Sequence, residues 1–185
     1  MTLGQAIRVF IKGSLALLSV WTSPVGQAAE EGLDKMKALV RERFPGVPHL
    51  TTADLAGWLA DPARTPPLLV DVRSKAEYDV SHLSGARWIE PESPAQDLLP
   101  TLPKDRTVVL YCSVGYRSAA CATRLMAAGF TNVINLEGSL FQWANEGRPL
   151  ARADGVAKQV HPYSKRFGRL LRPALRATLS QGAAP

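Results

Sequence analysis

A chain of 185 residues, 46% hydrophobic and 21% charged, suits one packed domain with extensions and excludes a disordered chain. Its net charge of +6 is uneven: residues 30–150 hold 13 basic against 15 acidic residues, and residues 151–185 hold 7 basic residues against Asp154 alone. The nearly neutral centre offers no basic surface for nucleic acid, and two cysteines nine apart form neither a disulfide scaffold nor a zinc motif.

Residues 1–28 read as an export signal. Arg8 and Lys12 form a positive region, Gly13 to Trp21 a short apolar core, and Gly26-Gln27-Ala28 a cleavage site. The apolar core is well short of the ~20 residues that span a bilayer. This places the mature chain outside the cytoplasm, as in a periplasm. An uncleaved amphipathic N-terminus and an anchor beginning at Val9 are the alternatives. Within residues 29–47, Leu33, Met36, Leu39, Val40 and Phe44 fall at helical spacing, and Pro45-Gly46-Val47-Pro48 ends that helix.

Thr51 or Thr52 caps a second helix that carries Leu55, Trp58 and Leu59. Leu68-Leu69-Val70 then reads as a strand buried on both faces, running into Asp71-Val72-Arg73. A short helix near residues 75–78, a loop at 81–86, a brief strand at 87–89 and a proline-rich loop or broken helix at 90–104 follow. Residues 108–111 form a strand, and after the loop to Arg117 the small and apolar residues from Ser118 follow a helical pattern ended by Gly129. A strand at 132–136 and a helix carrying Leu140, Phe141 and Trp143 complete the series. Strands alternating with helices from 50 to 150 predict a parallel α/β sheet covered on both faces.

Cys112 stands at a strand's carboxyl end, where open α/β sheets place their ligands. A thiolate there meets the N–H groups and positive dipole end of the following helix. Arg117 adds a fixed cation, and Gly115 lets the backbone close a tight ring. All these features lower the thiol's pKa and attract an anion, so the thiolate needs no general base. Four residues separate Cys112 from Arg117. Cysteine-dependent phosphatases enclose five and hold a tetrahedral phosphate in the wider cradle.

The segments LLVDVRSKAEYDVSHLSGA (68–86), YCSVGYRSAACATRLMAAGF (111–130) and NVINLEGSLFQWANEGRPL (132–150) resemble the rhodanese family of sulfurtransferases. With the helix at 51–60, the resemblance covers residues 48–150. It implies a three-layer α/β/α domain with a five-stranded parallel sheet, and sulfane-sulfur transfer without a metal or cofactor. Cys112 would attack the outer sulfur of a donor such as thiosulfate and become a persulfide. The acceptor would be cyanide, a thiol or a protein. The amides of residues 113–117 would hold the persulfide, so Ser113, Val114, Gly115, Tyr116, Arg117 and Ser118 are the expected substrate-binding set. The family often has Glu-Gly-Gly before its last helix; here the third position is Ser139.

Several residues have competing readings. Arg117 either touches substrate or pairs with Asp71 or Glu77 as a brace. Ser118 either faces the sulfur or starts the helix. Asp71, Arg73 and His82 read as structural supports. Cys121 is a buried small residue or a resolving partner for Cys112. In the tail (151–185), Phe167, Leu170, Leu171, Leu175 and Leu179 oppose Arg166, Arg169, Arg172 and Arg176 on a helix interrupted by Pro173. That helix packs on the domain or lies on an anionic membrane. Besides a sulfurtransferase, a persulfide carrier without turnover and a phosphatase or arsenate reductase stay open.

Overall fold

The computed structural model describes residues 24–102 and 105–179. Most of the expected export signal, residues 1–23, lies outside the described residues.

Helix α1 (Pro24–Arg43) starts earlier than the apolar stripe suggests, so its first turn contains the expected cleavage site. Leu33 and Val40 are buried, whereas Leu39 is 46% exposed, so the predicted stripe is only partly covered. After β1 (His49–Leu50), Thr51 caps α2 (Thr52–Ala60), its side chain accepting the Asp54 N–H at 3.0 Å. Then come β2 (Leu68–Asp71), α3 (Lys75–Val80), β3 (Arg87–Trp88), the one-turn α4 (Ala95–Leu98) and β4 (Val108–Tyr111). The domain continues through α5 (Tyr116–Ala127), β5 (Val133–Leu136) and α6 (Ser139–Asn145).

The strands form one parallel sheet in the order β1-β5-β4-β2-β3, as the family resemblance implies. Three of its strands are readable from apolar runs, and β3 from the brief stretch Arg87-Trp88-Ile89. The fifth, β1, has two residues and no pattern of its own. Pairing makes it a strand: Pro48 O accepts the Asn135 N–H at 2.9 Å, and Leu50 O accepts the Glu137 N–H at 2.9 Å. In the central strand β4 all four residues are buried, and they alternate between two apolar layers. Val109 and Tyr111 join Leu55, Leu83 and Phe141 on one face; Val108 and Leu110 join Val70, Leu125 and Phe130 on the other.

The tail departs from the amphipathic α-helix expected of it. It opens with the hairpin β6 (Leu150–Arg152) and β7 (Gly155–Ala157), and its later turns are 3-10 at Phe167–Leu170 and Pro173–Leu175. Side chains satisfy the carbonyls and amides that a helix ladder would have used. Arg176 donates through Nε and a terminal nitrogen to Leu171 O, and Asn145 bonds both Leu170 O and the Arg172 N–H. Pro173 lacks the N–H that a continuous helix needs there. The tail's apolar residues turn inward: Leu171 is fully buried, and Phe167, Leu170 and Leu175 pack on the same layer as Leu33 and Phe141. Of the two sequence readings, packing on the domain is the one these described residues adopt.

Candidate active site

The sheet's central strand delivers Cys112 into a four-residue turn that ends at the first residue of α5. Gly115 closes the turn at φ +99, a conformation that favours glycine. A Cβ there would also sit 3.4 Å from Leu136 O and 3.5 Å from the Asn135 side chain. The first turn of α6 ties back the loop's carbonyls: Leu140 N–H donates to Cys112 O at 3.2 Å and Phe141 N–H to Ser113 O at 3.0 Å. With its carbonyls held there, the ring turns amides toward the sulfur. The Gly115 N–H donates to Cys112 Sγ at 3.2 Å.

Cys112 is 1% exposed, and both cysteines are free thiols. Burial pushes the Cys112 thiol up, but the Arg117 guanidinium and the Ser118 and Val114 N–H groups outweigh it, and the pKa is lowered. Ser118 lowers the Cys112 pKa through both its amide and its side chain, and its hydroxyl lies 2.6 Å from Asn135 Oδ1. Burial pushes the Cys121 thiol up, which makes it the less reactive of the two.

Arg117 is bound at both terminal nitrogens by Glu77, at 2.7 and 2.8 Å, and also donates to Ser113 Oγ at 3.0 Å. Ser113 Oγ donates in turn to Glu77 Oε1 at 2.8 Å. Glu77 sits at the third position of α3, in a capping box with Ser74. Burial raises the Glu77 carboxyl, but Arg117, then Arg73 and the Ser113 hydroxyl, bring it down to about 2. Arg117 is therefore a brace that also borders the sulfur.

Ser139 supports the cysteine from the opposite side. Its hydroxyl accepts the Cys112 N–H at 3.2 Å and donates to Leu136 O at 2.9 Å. Its φ is +50, in the left-handed region where the family's frequent glycine is unstrained. The departure from Glu-Gly-Gly thus falls on a residue bonded directly to the Cys112 loop.

The sequence profile described as "Rhodanese-like domain" matches residues 52–146. The chain belongs to the rhodanese-like domain family. Among its relatives is a "Sulfurtransferase" of Allochromatium vinosum, 36% identical over 88 residues, a match covering 48% of this chain and 81% of that one. The "Probable adenylyltransferase/sulfurtransferase MoeZ" of Mycobacterium tuberculosis is 37% identical over 102 residues, covering 54% of this chain but only 25% of the relative's length. A "tRNA uridine(34) hydroxylase" of Sodalis glossinidius is 28% identical over 75% of this chain and 40% of its own. The crystal structure of a rhodanese-like domain protein from Staphylococcus aureus aligns with a TM-score of 0.50 and 28% identity, over 57% of this chain and 98% of that one. Sulfur transfer is thus supported at the level of the family.

Around the rhodanese-like loop, Asp71, Arg73 and His82 bond neighbouring segments. Asp71 and Arg73 are both fully buried and paired at 2.7 Å; Arg73 also donates to Ser81 O at 2.6 Å. Burial works against the charge on Arg73, and Asp71 more than restores it, so its pKa is raised. The Tyr111 hydroxyl accepts the Leu83 N–H at 3.0 Å, linking β4 to the loop after α3. His82 stacks on Tyr78 at 3.9 Å and bonds Tyr78 O through Nδ1; its backbone pairs with Ala151. Asp71, Arg73 and His82 do not line the pocket above the Cys112 sulfur.

The rhodanese-like segment alone does not enclose Cys112. A pocket of about 350 Å³ above the sulfur is floored by Cys112, Ser113, Val114, Tyr116 and Arg117. Its walls are Met36 and Leu39 of α1 and Tyr163, Arg166 and Phe167 of the tail. Of the expected substrate-binding set, Gly115 and Ser118 lie in the ring rather than on the pocket surface. Sequence reasoning singled out Cys112 and its loop but missed Ser139 and Asn135 as its partners. It also missed the five wall residues: Met36, Leu39, Arg166 and Phe167 read only as helix faces, and Tyr163 as part of a lead-in turn. The capping box Ser74–Glu77 was a legible signal for a helix start. The sequence offered Asp71 or Glu77 as the brace of Arg117, and the structure selects Glu77.

Proposed function

We propose that this protein moves sulfane sulfur from a donor such as thiosulfate to a thiophilic acceptor through a persulfide on Cys112. The observation that carries the reading is the lowered pKa of a buried Cys112 thiol inside a ring of amides, beside a fixed guanidinium. The Cys112 thiolate attacks the donor's outer sulfur. The donor's S–S bond breaks and sulfite leaves with the electron pair. The ring amides of residues 113–117 then hold the persulfide's outer sulfur. Attack on that sulfur by cyanide or a thiolate, free or on a protein, returns Cys112 to its thiolate. Two half-reactions sharing one covalent intermediate give ping-pong kinetics.

Intact mass after thiosulfate treatment tests this. A gain of one sulfur, removed by cyanide and absent in Cys112→Ser, is the expected result; no adduct with any sulfane donor sinks the proposal. A persulfide that forms but is not turned over by small acceptors would favour the carrier alternative. Hydrolysis of an aryl phosphate would favour the phosphatase.

We further propose that the protein is exported, on the tripartite pattern of residues 1–28. The mass of the mature N-terminus tests this. A chain beginning near Ala29 supports cleavage, and an intact Met1 in a cytoplasmic fraction rejects it.

A further inference from the structure

The walls above Cys112 come from outside the matched family segment, and they are fixed in place. Gly32 of α1 lies so close to the tail that a Cβ there would come within 2.4 Å of Leu170 Cδ2. Glu30 and Arg172 approach at 3.5 Å, and Leu33 and Leu171 are buried in one apolar layer. Helix α1 and the tail thus clasp each other, and the clasp leaves a pocket over the sulfur.

The pocket's character favours a donor with an apolar body. Leu39, Val114, Tyr163 and Phe167 make most of its lining apolar or aromatic. Tyr163 packs edge-on against Phe167 at 5.4 Å, and its ring also covers Arg117, whose guanidinium carbon lies 4.8 Å from the ring centroid. The charge of Arg117 is already matched by Glu77. The exposed Arg166 of the wall meets an anionic head, while the apolar lining around it is covered only by a donor with an organic body. A pocket of about 350 Å³ is at the lower end of the roughly 300–1,000 Å³ range of small-molecule sites. It is large enough for a donor with an organic body.

We infer that α1 and the tail form a specificity pocket that selects an organic sulfane-sulfur donor, a monoanion such as an aryl thiosulfonate. Its apolar body lies against Leu39 and Phe167 while its outer sulfur meets Cys112. The inference rests on the proposed persulfide chemistry. The Cys112 thiolate bonds to the outer sulfur of R–SO2–S⁻, the S–S bond breaks, and the sulfinate R–SO2⁻ leaves with the electron pair. The products are one persulfide anion and one sulfinate anion, so atoms and charge balance without an oxidant or reductant.

The test compares benzenethiosulfonate with methanethiosulfonate, which share a reacting head and charge and differ in the apolar body. With cyanide as acceptor, the wild-type KM for the benzene compound is expected to be about tenfold lower, the scale of partial ring burial. Leu39→Ser and Phe167→Ala are each expected to cut that ratio by roughly threefold or more. Leu39 is half-exposed, so its substitution carries little folding risk. A ratio near one in wild type, or one unchanged in both variants, overturns the inference while persulfide formation stands. Failure of both compounds and of thiosulfate to load sulfur on Cys112 overturns the sulfur-transfer reading itself.

Discussion

Glu77 holds Arg117 by both terminal nitrogens from a site that is itself 1% exposed, 40 residues away in sequence. The pair fixes the far end of the Cys112 loop to α3, and Ser113 closes the triangle. Because Arg117 is partly open to solvent and Glu77 is not, the carboxylate depends on its partner more than the guanidinium does. The carboxyl's lowered pKa therefore makes the brace a source of pH-dependent stability.

The Glu77 carboxyl falls from 4.5 to about 2 on folding. A group depressed in the folded state contributes stability fully above its unfolded pKa and loses it as pH falls through its folded pKa. Wild type is therefore expected to exceed Glu77→Gln in stability at pH 7 by on the order of 3 kcal/mol. The gap should narrow as pH drops from about 5 toward 2. Urea denaturation of both proteins across that range measures it, and a gap that stays constant refutes the role given to Glu77.

The lowered Cys112 pKa predicts that iodoacetamide modifies this thiol with a midpoint below the ordinary cysteine range. Arg117→Gln removes the nearby cation and should move the midpoint upward, while slowing sulfur loading at neutral pH by roughly a hundredfold. Arg117→Lys retains charge and should fall between. Cys121, buried and with its thiol pushed up, should stay unlabelled in the folded protein. An unmoved midpoint in Arg117→Gln would show that the ring amides alone set the thiolate.

Ser139 combines a strained φ with two hydrogen bonds, and two substitutions separate these contributions. Ser139→Ala keeps the strain and strands the buried Cys112 N–H, at an expected cost of about 1–3 kcal/mol. Ser139→Gly loses the same bonds but relieves the backbone, so it should recover roughly 1 kcal/mol relative to alanine. Denaturation midpoints order the three proteins. Equal stability for the alanine and glycine variants would mean that φ at this position costs nothing.

The Asp71–Arg73 pair is wholly buried, so removing one charge leaves the other uncompensated. Asp71→Asn is expected to destabilise by about 3–5 kcal/mol. The double change Asp71→Leu with Arg73→Met should recover much of that loss, because neither charge is then left unpaired. Thermal melts of wild type and the two variants decide it: a double variant no more stable than Asp71→Asn contradicts the structural assignment.

The sequence by itself determined the parallel α/β class, four of the five strands, and the reacting loop. These follow from short-range patterns: apolar runs buried on both faces, helix caps and stops, and the four-residue interval between Cys112 and Arg117. Only the tertiary structure decided which distant groups serve that loop. Strand β1 exists because β5 pairs with it, Glu77 of α3 reaches Arg117 at the start of α5, and Ser139 meets Cys112 because α6 begins beside β4. The tail carries the plainest lesson. Its apolar and basic residues alternate as a helix would have them, yet Pro173 and the side-chain bonds of Asn145 and Arg176 spend its backbone on 3-10 turns that dock on α1. Periodicity specifies which residues seek cover. Which surface covers them, and the pocket left over Cys112 when it does, depends on contacts between segments far apart in the chain.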